Sequence, residues 1–72
     1  MHAGTYRHWK GNRYRVLFIA KDSNNHAAGE DVVVYVSLDP PYAGGIRTRW
    51  KSEFLEQVDL PDGTRTPRFV PD

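Results

Sequence analysis

The chain has 72 residues and a formal net charge of +1, with 39% hydrophobic and 26% charged residues. This length allows one modest core, and the composition is that of a globular domain rather than a disordered segment, so we expect a single domain over residues 1–72. Because cysteine is absent, disulfides and thiolate zinc sites are excluded.

Closely spaced turn residues in the first half of the chain predict short strands rather than helices. Gly11 and Asn12 have the composition of a hairpin tip, which predicts one strand over residues 6–10 and a second over residues 13–21. A polar loop over residues 22–29 follows. Residues 31–38 are rich in β-branched and aromatic side chains, so we place this third strand near the centre of the sheet.

The second half of the chain predicts shorter elements. Two prolines and two glycines in residues 39–45 end the third strand, and a fourth strand over residues 46–50 follows. Between residues 51 and 57 the apolar spacing indicates one short helical turn. An Asp-Gly turn then joins residues 56–60 to residues 65–70 as a final ribbon.

These elements predict an all-β fold, a small five- to six-stranded SH3-like or OB-like barrel with one short helical turn. One face of the second strand is the predicted core: Tyr14, Val16, Phe18 and Ala20. The third strand has apolar residues on both faces, so it is either covered twice or paired with another subunit. A homo-oligomer is expected because four side chains would leave apolar area uncovered: Val33, Tyr35, Leu17 and Ile19.

Residues suited to catalysis or metal binding are few. The three histidines, His2, His8 and His26, fall on a terminus, a strand and a loop without paired spacing, so we expect no metal site. The chain lacks a cysteine nucleophile, a serine in a strand-turn-helix context and a glycine loop for phosphate. We therefore expect no catalytic residue and no cofactor, and the domain is not expected to be an enzyme.

Basic residues interleaved with aromatic rings are the most distinctive feature of the sequence. They occur in the first hairpin and again in residues 47–51. Rings stack on nucleobases and guanidinium groups bind phosphates, which indicates a binding surface. The predicted ligand-binding residues are Arg7, His8, Trp9, Lys10, Tyr42, Arg47, Arg49 and Trp50. In the alternative interpretation Trp9, Tyr14 and Trp50 are core residues and the arginines are only solvated.

These features favour a non-catalytic binding module for an anionic, base-containing ligand: a nucleotide, a nucleotide signal or single-stranded nucleic acid. The alternative is an SH3-like module that binds proline-rich protein segments. A small enzyme acting on nucleotides or phosphoesters comes third. The first residues do not resemble a signal peptide and no stretch approaches the ~20 apolar residues of a membrane helix, so we expect a cytoplasmic protein without a membrane partner.

The opening segment Tyr6-Arg-His-Trp-Lys-Gly-Asn-Arg-Tyr-Arg-Val also resembles a known family. It is similar to the Tyr-x-His-aromatic-Lys-Gly-Asn-x-Tyr-x-Val motif of DUF1653, a family of small bacterial and phage proteins. Further similar positions extend the resemblance over nearly the whole chain: Ala20, residues 33–35, Arg49, residues 54–56 and residues 67–69. The resemblance implies a small β-rich, SH3-like domain and no particular function. The occurrence of the family in phages and the small size of the chain suggest one variant of the binding-module hypothesis, in which an oligomer sequesters a nucleotide signal.

Two loops depart from the family pattern. After the second strand, residues 22–25 read Asp-Ser-Asn-Asn where the family usually has His-Ser-Glu-Thr. The segment between Tyr35 and Arg49 is longer, with a proline pair and a glycine pair where a Trp-x-Arg-Pro sequence is usual. Roles that depend on those two loops are therefore not carried over to this chain.

Overall fold

Two antiparallel sheets and one helical turn make up the fold in a computed structural model, which describes residues 1–23 and 30–72. The elements of these residues are β1 (Gly4–His8), β2 (Arg13–Lys21), β3 (Asp31–Ser37), β4 (Ile46–Trp50), α1 (Lys51–Phe54), β5 (Gln57–Asp59), β6 (Arg65–Pro67) and β7 (Phe69–Pro71). One sheet has the strand order β4-β3-β2-β1-β7, and β5 pairs with β6 in a separate ribbon. The predicted all-β class with a single short helical turn is confirmed.

The strand count and the closure of the sheet differ from the prediction. The described residues form seven strands, and the five-stranded sheet is open, with β4 and β7 at its two edges rather than paired into a barrel. The extra strand arises because the predicted strand over residues 65–70 divides at Arg68. The Arg68 N–H makes the last hydrogen bond on the side of β5, to the Glu56 carbonyl at 2.9 Å, and from Phe69 onward the chain pairs with β1.

The first hairpin forms where the sequence predicts it, but β1 covers Gly4–His8 rather than residues 6–10, so the turn includes residues 9–12. The His8 N–H donates to the Asn12 carbonyl at 2.8 Å, and the Gly11 N–H donates to the His8 carbonyl at 2.7 Å. Gly11 has a φ of 108°, a backbone conformation that glycine adopts without steric cost. Most of the predicted loop over residues 22–29 lies outside the described residues. His26 is in this part of the loop.

The core lies against one face of the five-stranded sheet, which we call the inner face. Six apolar side chains are buried there: Tyr6, Val16, Val33, Tyr35, Phe54 and Phe69. Phe54 comes from α1, and its ring stacks on the Phe69 ring with the centroids 4.0 Å apart. The helical turn therefore covers the inner face with a single large side chain, and strands from both halves of the chain share one core.

Only half of the core predicted for β2 is on the inner face. Val16 is buried and Tyr14 packs against the core, but Phe18 is 57% exposed. The pairing of β2 with β3 shifts between these residues, because Val16 lies opposite Tyr35 whereas Phe18 lies opposite Val34. The resulting β-bulge moves Phe18 and Ala20 to the opposite face, which we call the outer face.

The expectation that Val33 and Tyr35 leave apolar area uncovered is wrong, since both side chains are buried in the core. The outer face of β3 has Val32, Val34 and Val36 instead, all of them partly exposed. Leu17 and Ile19 are exposed as expected. Homo-oligomerisation stays a prediction. In the described chain no helix has the length and apolar character needed to cross a membrane.

Candidate ligand-binding site

Phe69 is the centre of a group of rings on the inner face. The Tyr14 and Tyr35 rings lie with their centroids 5.6 and 6.0 Å from that of Phe69, both edge to face. The pairing of β7 with β1 places Phe69 directly opposite His8, whose ring centroid is 4.9 Å away. We call Tyr14, Tyr35 and Phe69 the aromatic floor. It is assembled from β2, β3 and β7.

Two arginines of β4 lie on the same face as this floor, and one of them contacts it. Register places Arg49 opposite Val33 and Arg47 opposite Tyr35, so their two-residue spacing puts both on the inner face. The Arg49 guanidinium carbon lies 5.9 Å from the Phe69 centroid, and its Nε donates to the Tyr35 hydroxyl at 3.4 Å. The Arg47 guanidinium carbon lies 5.2 Å from the Tyr42 centroid. Edge strand β4 thus lines one side of the floor with positive charge.

The tip of the β1–β2 hairpin supplies a third cation. The Lys10 Nζ lies 5.3 Å from the centroid of Trp9, and the Trp9 ring lies 5.8 Å from that of His8. The Trp9 N–H donates to the Arg68 carbonyl at 3.0 Å, which ties the hairpin tip to the residue before β7. Trp9 is 40% exposed, so its interpretation as a core residue is wrong.

The cations above the rings are free of ion pairs. Six basic side chains have a carboxylate at ion-pair distance: Arg7, Arg13, Lys21, Lys51, Arg65 and Arg68. Within residues 1–23 and 30–72, Lys10, Arg47 and Arg49 have no such partner, and each stands over an aromatic ring instead. Arg15 is also unpaired in this part of the chain but lies on the outer face, opposite Val36. Positive charge is therefore left uncompensated beside Trp9, Tyr42 and Phe69.

His8 lies half-buried between these cations. Burial is the main cause that holds the pKa of His8 below its ordinary value, and the charges of Arg68, Lys10 and Arg49 act in the same direction. The backbone N–H of Lys10 donates to Nδ1 of His8 at 3.2 Å. The lowered pKa favours the neutral imidazole, and the contact with the Lys10 N–H favours the form in which Nδ1 accepts and Nε2 carries the proton.

Arg68 is a member of this group that the charge pattern of the sequence did not indicate. Its side chain is mostly buried, and its Nη2 lies 3.9 Å from Oε1 of Glu56. Its Nε is buried without a hydrogen-bond partner in the described chain. A buried N–H left in this state costs about 1–3 kcal/mol. We call Lys10, Arg47, Arg49 and Arg68 the cationic rim. The signal for Arg68 and Phe69 was the Pro67-Arg-Phe segment, which carries part of the family resemblance.

The structure brings together six of the eight predicted ligand-binding residues. His8 and Arg49 contact the aromatic floor, and Trp9 with Lys10 adjoins His8 at the hairpin tip. Arg47 with Tyr42 lies at the β4 side of the same face, and these are the six. Arg7 and Trp50 do not join the group. Alternation along β1 and β4 turns both to the outer face, where Arg7 pairs with Asp72 at 3.4 Å and Trp50 lies opposite Val32. Among the described residues no three metal-ligating side chains cluster.

Fold and site together define a small all-β domain whose open sheet carries unpaired cations over aromatic rings. A model of the DUF1653 family, described as proteins of unknown function, matches residues 4–71, and the chain belongs to this family. The chain is similar in structure to a DUF1653 protein from Bordetella bronchiseptica, with 34% identity, a TM-score of 0.80, and coverage of 97% of this chain and 85% of that chain. No curated protein matches the chain.

Proposed function

We propose that the domain is a non-catalytic binding module for an anionic ligand that carries a nucleobase. The observation behind this proposal is that Lys10, Arg47 and Arg49 have no carboxylate partner in the described chain and are each held over a ring. A cation in van der Waals contact with a ring keeps its charge and loses part of its conformational freedom. Such cations are prepared to receive phosphate oxygens, which guanidinium groups bind through paired N–H donors.

The exposed rings of the site are suited to the base of the ligand. Tyr42 is 62% exposed and Trp9 is also exposed, and each has one of the rim cations beside it. Stacking of a base on an exposed ring is worth about 1–3 kcal/mol. Tyr35 and Phe69 are buried, so their part is to position Arg49 rather than to contact the ligand.

The test is calorimetric titration of the domain with ATP and with a short oligothymidylate. Binding is expected to weaken between about 50 mM and about 200 mM salt because phosphate contacts release counterions. Arg49→Gln is expected to lower affinity by about tenfold or more, since hydrogen bonds to a charged group contribute about 1.5–3 kcal/mol. The control is Arg15→Gln, which removes the same charge from the outer face. Absence of binding, or equal losses in both variants, would contradict the proposal.

A protein-interaction module is the second candidate, because the exposed rings of Trp9 and Tyr42 also suit an extended proline-rich peptide. The variants Trp9→Ala and Arg49→Gln separate the two functions. Peptide binding that is lost in the first variant and kept in the second would favour the protein module. Recovery of unchanged ATP after incubation with the domain is expected for a binding module, whereas phosphate release would indicate an enzyme.

A further inference from the structure

We propose that His8 serves this site as a neutral hydrogen-bond donor, which offers its Nε2–H to an uncharged acceptor on the sugar or base of the ligand. The inference rests on the proposed function and adds a requirement that the cationic rim does not impose. A ligand must present a carbonyl, ring nitrogen or hydroxyl oxygen close to its anionic group.

The backbone of the hairpin tip fixes the state of the imidazole. A neutral imidazole has one N–H donor and one acceptor nitrogen, and the partner of one nitrogen decides the role of the other. The Lys10 backbone N–H donates to Nδ1 at 3.2 Å, so Nδ1 is the acceptor and the proton is on Nε2. The ring packs edge to face on Phe69 and on Tyr14, which limits its rotation.

The charged groups around His8 favour the neutral form. Burial is the largest cause that lowers the pKa of the imidazole. The charges of Arg68 before β7, Lys10 at the hairpin tip and Arg49 of β4 lower it further. Tyr14 of β2 is the other titratable residue whose ring contacts the His8 ring. A protonated His8 would place a further positive charge among three cations. A neutral His8 supplies a directional hydrogen-bond donor without adding charge.

The division of tasks follows from these charges. Phosphate oxygens are drawn to the guanidinium and ammonium groups, because charge-assisted hydrogen bonds are about twice as strong as neutral ones. The neutral Nε2–H is left for an acceptor without charge. The site would therefore distinguish a nucleotide from a bare polyphosphate through His8.

Nitrogen NMR of the histidine rings tests the protonation state on the folded domain, without any ligand. The expected spectrum at about pH 7 shows His8 neutral and protonated on Nε2. An imidazolium, or a neutral ring protonated on Nδ1, would overturn the inference while leaving the proposed function intact.

Calorimetry with ATP and with inorganic triphosphate tests the role in binding. His8→Asn places an amide near the Nδ1 position only, and it is expected to weaken ATP binding about tenfold and triphosphate binding much less. His8→Gln, whose amide reaches the Nε2 position, should keep more of the ATP affinity than His8→Asn. Thermal unfolding of both variants shows whether they are folded.

Three outcomes would overturn this role. Equal weakening of ATP and triphosphate binding by His8→Asn would mean that His8 contacts phosphate or only supports the hairpin. Equal affinities of the Asn and Gln variants for ATP would remove Nε2 as the donor. If neither probe binds the unmodified domain, the proposed function fails and the role of His8 fails with it.

Discussion

Arg49 and Phe69 meet over the inner face although they belong to the two opposite edge strands of the sheet. The Arg49 guanidinium carbon lies 5.9 Å from the Phe69 centroid, while its Nε donates to the Tyr35 hydroxyl. The strand order β4-β3-β2-β1-β7 places three strands between the two residues, so the sheet must curl for them to approach. This curl brings charge from β4 and rings from β7 into one site without closing a barrel.

The hydroxyl of Tyr35 is expected to position Arg49 for the ligand. Tyr35→Phe removes the acceptor of the Arg49 Nε and should lower the free energy of unfolding by about 1 kcal/mol, as is typical of one hydrogen bond. Affinity for ATP should fall several-fold, because the guanidinium group loses one of its two positioning contacts.

Tyr6→Phe is the matched control for this prediction. The Tyr6 hydroxyl donates to the His2 carbonyl at 2.8 Å and accepts from the His2 backbone N–H at 3.3 Å, so both of these hydrogen bonds are made to His2 rather than to the cationic rim. This variant should lose a similar amount of stability in urea unfolding and keep its affinity for ATP. If both variants bind ATP as the unmodified domain does, Tyr35 does not position Arg49 for binding.

Phe54 is expected to be a main contributor to stability, because it is the large side chain by which α1 covers the inner face. It is fully buried and contacts the rings of Tyr6, Tyr35 and Phe69. Phe54→Ala should lower the free energy of unfolding by about 3–5 kcal/mol in urea titrations, whereas Leu55→Ala at the exposed neighbour should change it by less than about 0.5 kcal/mol. Comparable losses in the two variants would contradict the packing of α1 described above.

The β-bulge of β2 gives opposite expectations for Val16 and Phe18, although strict alternation puts both on one face. Val16 is buried, so Val16→Ala should cost about 2 kcal/mol of folding stability. Phe18 is largely exposed on the outer face. Phe18→Ser should therefore lower the free energy of unfolding by several kcal/mol less than the removal of a buried phenylalanine would. Urea unfolding of both variants distinguishes the bulged register from a regular strand, in which Phe18→Ser would be the more damaging change.

The same bulge shows how far the fold could be predicted from the sequence. Turn residues and apolar runs located the first hairpin, the inner strand β3 and the helical turn, because these features depend on neighbouring residues. A bulge depends on how two strands pair, and alternation along one strand holds no information about it. The division of the last strand at Arg68 was missed for the same reason, since its two halves pair with different partners far away in the sequence.

The site was predicted in part for a similar reason. His8 and Arg49 were found because basic and aromatic residues are interleaved in two short segments. Their neighbours Arg7 and Trp50 were included from the same runs, but alternation turns them to the outer face. Phe69 enters the site only because β7 pairs with β1, which no local pattern indicates.

Asp39 makes the stability of the domain dependent on pH in the acidic range. The side chain of Arg13 hydrogen-bonds Asp39 at 3.1 Å, and the Arg13 backbone N–H donates to the same carboxylate at 2.6 Å. These bonds, with the side-chain bond the larger cause, hold the pKa of Asp39 below its ordinary value. Since the pKa is lower in the folded than in the unfolded state, the stabilisation is present above the unfolded pKa and is lost as the pH falls through the folded pKa.

Asp39→Asn should therefore lower the thermal unfolding temperature at about pH 7 and reduce the decline of that temperature below about pH 4. The control is Glu53→Gln, because Glu53 is an exposed carboxylate of α1 without an ion pair among the described residues. This variant should leave the unfolding temperature at about pH 7 and its decline in acid unchanged. An Asp39→Asn variant whose unfolding temperature declines in acid as steeply as that of the unmodified domain would show that this carboxylate does not link folding to protonation.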